Sequence, residues 1–327
     1  MQNSLYASLL SLLMVFGLVW ISPAPEKRPE PVPETSPSPA PAPPERLRVK
    51  VGEEIRDMPL EDYVLGVVAG EMPADFPPEA LKAQAVAART YALYCRETGR
   101  HADADVCGDW RCCQAFQDEQ ALREKWGEDY EEKRARIAGA VAATAGERLH
   151  YGGRPIFAAF HASSAGFTED CGAIWSELPY LVSVFSPESA DTVPGFESTL
   201  SLAPLDFRDV LLSEEPEADF SGAPETWLGP CETDRSGRVA RQGIGGALFT
   251  GADLRRLFAL RSTAFSLEYT EGRFLFRVRG HGHGVGMSQY GAALYADRGE
   301  SYRAILAHYY PGTELVGGKK TPSALSS

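Results

Sequence analysis

Positive charge is what this 327-residue chain is short of: 32 Lys and Arg stand against 45 Asp and Glu, for a formal net charge of −13. That balance removes the electrostatic basis for binding nucleic acid or an anionic membrane surface, and it favours a neutral or weakly charged substrate. The segment 280–286 is rich in glycine, but the chain has no Walker pattern, so nothing supports a phosphate-cradling loop. His281 and His283 stand at His-x-His spacing without a carboxylate placed as in a zinc protease. No Lys or Arg precedes Lys27, so the N-terminus lacks the charged lead of a secretory signal. With 44% hydrophobic residues and five tryptophans, there is ample material for one large core or two.

The first structural signal is an uncharged apolar run from Leu5 to Ile21, about long enough to cross a bilayer as a helix. Pro23 and Pro25 crowd the small-residue position at Ala24, so residues 1–22 read as an uncleaved single-pass anchor rather than a cleaved signal peptide. From Pro23 to Pro44 the chain holds ten of its 24 prolines, a composition that cannot bury a core. Residues 23–46 therefore read as a spacer, reaching roughly 70 Å at ~3.1 Å per residue. These readings place the protein at a cell membrane with an extracytoplasmic domain over 47–316 and a short tail at 317–327.

The folded part opens with "LRVKV", whose alternation predicts a strand. In "PLEDYVLGVVAG", Leu60, Tyr63, Val64, Val67 and Val68 share one helical face, and Gly70 stands where a C-terminal cap is expected. Glu71 then follows a helix end, and Pro73 turns Met72 away from helical geometry. A second helix is expected from about Glu79 to Glu97, with Pro78 near its first position. A carboxyl at the negative end of a helix dipole, beside Met72 and Phe76, is disfavoured as an anion, so its pKa should rise. A carboxylic acid kept protonated near neutral pH can protonate the leaving oxygen of a glycosidic bond. Asp62, Asp75 and Glu79 are the nearby candidates for the second carboxylate of a two-acid hydrolase.

"HADADVCGDWRCCQAF" gathers His101, Cys107, Cys112 and Cys113 within thirteen residues, a donor set suited to tetrahedral Zn²⁺. Disulfides are the alternative outside the cytosol, though a bridge between adjacent Cys112 and Cys113 would be strained. "RLHYGGRPIFAAFHASSAG" predicts a hairpin turning at Gly152-Gly153 and delivering His161 and Ser163 to a loop. "WSELPYLVSVFSP" supplies the aromatic faces of Trp175 and Tyr180, suited to core packing or to sugar stacking. Residues 187–240 are acidic and weakly periodic, and read as a variable insertion. "FTGADLRRLFALRS" predicts a capped helix, and "FSLEYT" and "RFLFRVRG" two strands ending at "GHGHGVGMSQYGA".

"LEDYVLGVVAGEMPADFPPEALKAQAVAARTYAL", together with "GHGHGVGMSQYGAALYADRGESYRAILAHYYPGTEL", closely resembles stage II sporulation protein D and its relatives, in the family's order and over about residues 47–316. The resemblance implies a membrane-anchored lytic transglycosylase that cuts peptidoglycan glycan strands whose stem peptides an amidase partner has removed, during engulfment of the forespore. It also implies membrane partners in the engulfment machinery. The glutamate of the "GEMP" motif is the family's catalytic acid, here Glu71, and the arginine of "AARTYAL", here Arg89, is a functional residue. Some relatives bind zinc at the cysteine loop through one histidine and two cysteines, which match His101, Cys107 and Cys113. Cys112 stands where relatives commonly have histidine, which leaves the fourth ligand open. His161 and Ser163 resemble a groove-lining segment, and His283, Ser288 and Gln289 are expected to hydrogen-bond sugar hydroxyls. Tyr180 matches a family tyrosine, but Val182 replaces the lysine that commonly follows it.

The expected fold is α+β: helices around Glu71 packed on mainly antiparallel strands, in two lobes bordering a cleft and preceded by the membrane helix. The expected activity is glycan cleavage leaving a 1,6-anhydro end, with no nucleophile from the protein. Two alternatives remain, a non-catalytic peptidoglycan-binding scaffold and a zinc amidase built on His281, His283 and His161.

Overall fold

Short strand-forming segments separated by helix signals build several small sheets rather than one broad one, from local hairpins joined by long-range pairs. The computed structural model describes residues 44–318. Strands β1 (Arg46–Val51), β2 (Glu54–Pro59) and β3 (Val106–Cys107) form one sheet in the order β2-β1-β3. Next come β4 (Arg148–Tyr151) and β5 (Arg154–Pro155), which join β14 (Glu314–Val316) in the order β14-β4-β5, and β6 (Phe160–His161), which pairs with β13 (Met287–Ser288). The remaining sheets are β11-β12-β7 and β10-β9-β8, from β7 (Glu197–Leu202), β8 (Leu228–Thr233), β9 (Val239–Ile244), β10 (Ala247–Thr250), β11 (Phe265–Thr270) and β12 (Arg273–Arg279).

This mixed α/β arrangement corrects the expected α+β layout. No sheet exceeds three strands among the described residues, helices lie between the strands in chain order, and β1 with β3 and β6 with β13 are parallel pairs. Nor do two lobes form, since the chain from Pro44 onward makes one unit. The physical reason lies in the pairing partners: the hairpins β1-β2, β4-β5 and β11-β12 each gain a third strand, β3, β14 and β7, from far along the chain, a choice made by tertiary packing and not by local periodicity. The expected membrane helix at 1–22 and most of the spacer lie outside the described residues. No described helix is long and apolar enough to cross a membrane.

The helices are α1 (Leu60–Glu71), α2 (Pro78–Thr98), α3 (Glu119–Trp126), α4 (Tyr130–Ala143), α5 (Pro204–Leu212), α6 (Gly251–Leu257), α7 (Gln289–Asp297) and α8 (Tyr302–Tyr309). Pro78 starts α2 at its first turn, and Gly99 ends it in the left-handed conformation. Ala80, Ala83, Ala85, Ala87, Ala88 and Ala92 are buried, so α2 has neighbours on all sides and packs against α1, α4, α7 and α8. A second hydrophobic cluster lies between the β11-β12-β7 and β10-β9-β8 sheets and α5 and α6. Residues 187–240 supply it with Phe207, Leu211 and Trp227, and the Phe207 and Phe274 rings stack with centroids 3.9 Å apart. Burying each such ring contributes about 1.5–3 kcal/mol.

One local expectation changes with consequences for the site. Gly70 is not the cap of α1; the helix continues through Glu71 and Met72 caps it in extended geometry. Gly70 is required for another reason, because a Cβ there would lie 2.5 Å from the Ala115 carbonyl oxygen. The loop after β3 thus rests directly on the last turn of α1. Gly70→Ala is expected to lower unfolding free energy by about 1–3 kcal/mol despite alanine's better helix propensity. Gly139→Ala, at an exposed helical site with open space around it, should raise it by roughly 0.5–1 kcal/mol. Urea unfolding of both variants checks this, and equal shifts would show that no close approach exists at Gly70.

Candidate active site

Glu71 is the last residue of α1 and is half-buried. Burial raises its pKa above the ordinary 4.5, while the Ala115 N–H and the Gln289 side chain pull it partway back. The Ala115 N–H donates to Glu71 Oε1 at 2.7 Å. Gln289 Nε2 has no well-formed hydrogen bond among the described residues, so it approaches the carboxyl without reaching good geometry. Met72, next in the chain, is buried, and Phe76 meets Tyr290 edge-on at 5.0 Å. Arg136 holds the intervening turn through the carbonyls of Ala74 at 3.0 Å and of Asp75 and Phe76 at 3.4 Å.

Gln289 opens α7, and Ser288 before it is the N-cap, accepting from the Gly291 N–H. The Ser288 hydroxyl also donates to Glu188, whose Oε1 accepts from the Ser164 N–H at 2.9 Å. Ser164 in turn reaches His161 Nε2 at 2.7 Å, and His161 Nδ1 lies 3.2 Å from the Val285 carbonyl. A carbonyl only accepts, so Nδ1 carries the proton and Nε2 accepts from the serine. His161 is held well below its ordinary pKa by burial, then by His283 and Arg238. Burial, then Arg255, pulls His283 down to about 4, and its Nδ1 accepts from the Val285 N–H at 3.1 Å. The exposed indole of Trp175 lies 5.1 Å from the His283 ring and edge-on to Phe157.

Several residues singled out from sequence are engaged by other groups of the protein. Arg89 is fully buried and grips Glu61 through Nε at 2.9 Å and Nη2 at 2.6 Å, while Nη1 donates to the Glu147 carbonyl at 3.0 Å. It therefore ties α1 and α2 to the start of β4, and its hydrogen bonds do not include Glu71. Tyr180 is buried with its hydroxyl accepting from the Phe157 N–H at 3.2 Å. Ser163 exchanges backbone bonds with His281, and its hydroxyl turns to the Ser164 carbonyl. Asp62 and Asp75 are exposed, and Glu79 accepts from Lys82 Nζ at 2.6 Å and the Tyr302 N–H at 2.8 Å. His161, with both ring nitrogens engaged, does not converge with His281 and His283 as metal ligands.

The one converging set of metal-ligand atoms among the described residues is His101, Cys107, Cys112 and Cys113, all within 4.8 Å of one another. His101 Nε2 stands 3.1 Å from Cys113 Sγ and 3.9 Å from Cys112 Sγ. Tetrahedral metal sites with these donors separate ligand atoms by roughly 3.5–3.8 Å, close to what the loop presents. All six cysteines are free thiols. Burial pushes the Cys107 thiol up to about 12, and the Cys113 thiol is raised by its hydrogen bond with Cys95 and by burial. A metal ion would take these donors as thiolates and release their protons, and the geometry of the set could hold one.

Sequence reasoning missed Ala115, Ser164, Glu188 and Tyr290. Ala115 acts through a backbone N–H and leaves no side-chain signal, though it follows Cys113 by two residues; Tyr290 adjoins Gln289 and was within reach. A family model described as Stage II sporulation protein matches residues 50–151. The chain is 37% identical to stage II sporulation protein D of Bacillus amyloliquefaciens over 80% of its own length and 75% of that protein's. Identity is also 37% with stage II sporulation protein D of Bacillus subtilis (strain 168), over 80% of this chain and 76% of the relative. The amidase enhancer of Bacillus subtilis (strain 168) is 29% identical over 77% of this chain, which spans 40% of that longer protein. The chain belongs to the stage II sporulation protein D family.

Proposed function

We propose that the chain is a peptidoglycan lytic transglycosylase of sporulation, acting outside the cytoplasmic membrane on glycan strands whose stem peptides an amidase has removed. The observation that carries this reading is the raised, half-buried carboxyl of Glu71 at the end of α1. Protonated, it donates its hydrogen to the bridge oxygen as the bond to the muramic C1 breaks. The C6 hydroxyl of the same sugar then attacks C1 and returns its proton to the Glu71 carboxylate, leaving a 1,6-anhydro end and a regenerated acid. The Ala115 N–H bond, with the nearby Gln289 side chain, favours the anion and keeps that carboxylate available between the two steps. The relatives named for sporulation and for amidase enhancement support a cell-wall setting. The unconverged histidines speak against the zinc amidase reading.

The metal of the cysteine loop is proposed to be zinc, held by His101, Cys107, Cys112 and Cys113. Bound there, it supplies a rigid tie between the two ends of the loop. The chain's own contribution is to carry that rigidity two residues onward, from Cys113 to the Ala115 N–H that meets Glu71.

Glu71→Gln is expected to fold and to lose at least about a hundredfold in cleavage of purified denuded glycan. Mass spectrometry should find 1,6-anhydro ends with the unsubstituted protein; reducing ends or uncut polymer would each reject the reading, as would release of stem peptides when intact peptidoglycan is the substrate. Because the folded pKa lies above the unfolded one, wild type loses stability as pH rises from near 4.5 through the raised value. The glutamine variant should lack that decline, and cleavage by wild type should fall over the same window as the acid loses its proton. For the metal, elemental analysis should give about one zinc per chain, with loss of both the ion and several degrees of melting temperature in Cys113→Ser. A metal-free protein with an unchanged melting temperature after chelation would refute the tie.

A further inference from the structure

The turn between β8 and β9 carries two arginines, and each meets one of two adjacent carboxylates. Arg235 donates through Nε and Nη2 to Asp170. Arg238, 1% exposed, places Nε 3.7 Å from Glu169 Oε2, the oxygen that also accepts from Ser236 Oγ at 2.9 Å. The turn is closed on itself, since Asp234 Oδ1 accepts from the N–H groups of Ser236 and Arg238 at 2.8 and 3.0 Å.

From the other side, the Glu169 N–H donates to the Gly284 carbonyl at 2.8 Å, and Glu169 pairs with Val285 in a parallel bridge. Gly284 has φ +88°, and a Cβ there would lie 2.5 Å from Arg238 Cζ and 2.6 Å from Nη2. The guanidinium therefore rests directly on the backbone one residue after His283. Its Nε and Nη2 nevertheless have no hydrogen-bond partner among the described residues. A buried cation with unmatched donors is a poor stabiliser, and an apolar replacement of such a pair is often neutral for stability. Holding the fold together is thus a weak account of this arginine, whereas its contact with the glycine loop is specific.

We infer that Arg238 and Glu169 are positioning residues, a clasp by which the second hydrophobic cluster fixes the Gly280–Gly286 loop and, through it, Gln289 at Glu71. Arg235 and Asp170 form the outer prong. The kinetic consequence rests on the glycan-cleaving reading; the mechanical one does not.

The test uses the full chain with Arg238→Met/Glu169→Gln, which removes both partners and leaves no unpaired charge, beside Gly284→Ala. Amide hydrogen exchange over 280–288 should quicken about tenfold or more while α2 exchanges as in wild type. On denuded glycan strands kcat should fall about tenfold with KM changed less than threefold, since the acid's surroundings shift and uniform binding does not. Arg238→Lys, which keeps charge but not the planar contact, should recover part of the loss. Unchanged exchange over 280–288, or a rise spread evenly into α2, would overturn the clasp. If wild type itself leaves denuded glycan uncut, the cleavage reading fails, and the exchange measurement still decides the clasp.

Discussion

The 2.7 Å bond from the Ala115 N–H to Glu71 Oε1 is the constraint on which the arrangement of the site depends. It exists because the loop after β3 lies on the last turns of α1 at a distance no side chain would permit at Gly70. Gln117 donates to the Gly66 carbonyl at 3.2 Å, and Phe116 covers Gly66 while stacking on Tyr63 at 5.6 Å. Gln114, buried, reaches the Tyr63 hydroxyl and the Ala88 carbonyl at 3.4 and 3.3 Å. The loop is therefore sewn to both helices on either side of the residue that meets the acid. Two opposed effects then act on one carboxyl: desolvation disfavours the anion, and the donated hydrogen bond favours it. Because desolvation prevails, the group retains its proton to higher pH without losing a partner for its charged form.

The parts legible in the sequence are those whose signals are local. Pro78 and the left-handed Gly99 bound α2 within one residue of expectation, the turn at Gly152-Gly153 joins β4 to β5, and Thr250 with Asp253 closes the capping box of α6. Glu71 stands at a helix end because Pro73 and the extended Met72 follow it. Contacts across long separations were not legible. Arg89 resembles a site residue in sequence, yet its direction is decided by Glu61, 28 residues away, and by Glu147, 58 residues away. Tyr180 presents an aromatic face on paper, but its hydroxyl is taken by the Phe157 amide. The sheet layout was misjudged for the same reason: which short strands pair across the chain, as β6 does with β13, depends on packing that periodicity does not encode.

Histidines show how burial changes a residue's chemistry. His161 and His283 suggest metal or proton transfer when read as letters, but both are held neutral by burial and by nearby arginines. A neutral imidazole has one donor and one acceptor, and His161 commits both within the protein, to Val285 and Ser164. The serine it meets is fully buried, so this pair lacks the access a nucleophile needs and instead joins the network that runs through Glu188 to the cap of α7. Gln289 takes its place from that cap.

This bears on why one acid can suffice under the proposed reading. In a two-carboxylate glycosidase the second group activates water or attacks the sugar, and the two carboxyls repel each other's charge. The groups bearing on Glu71 are instead a backbone amide and a side-chain amide, neither able to take a proton from water nor to add to carbon. What they do is stabilise the carboxylate at the moment it has given up its hydrogen. Under that reading the proton the carboxylate takes back comes from the C6 hydroxyl of the muramic sugar whose own C1 is attacked, held close by the same binding that presented the bond. Under the proposed reading, an environment of amides is suited to an intramolecular second step, in which the substrate brings its own nucleophile and the single carboxyl serves both transfers.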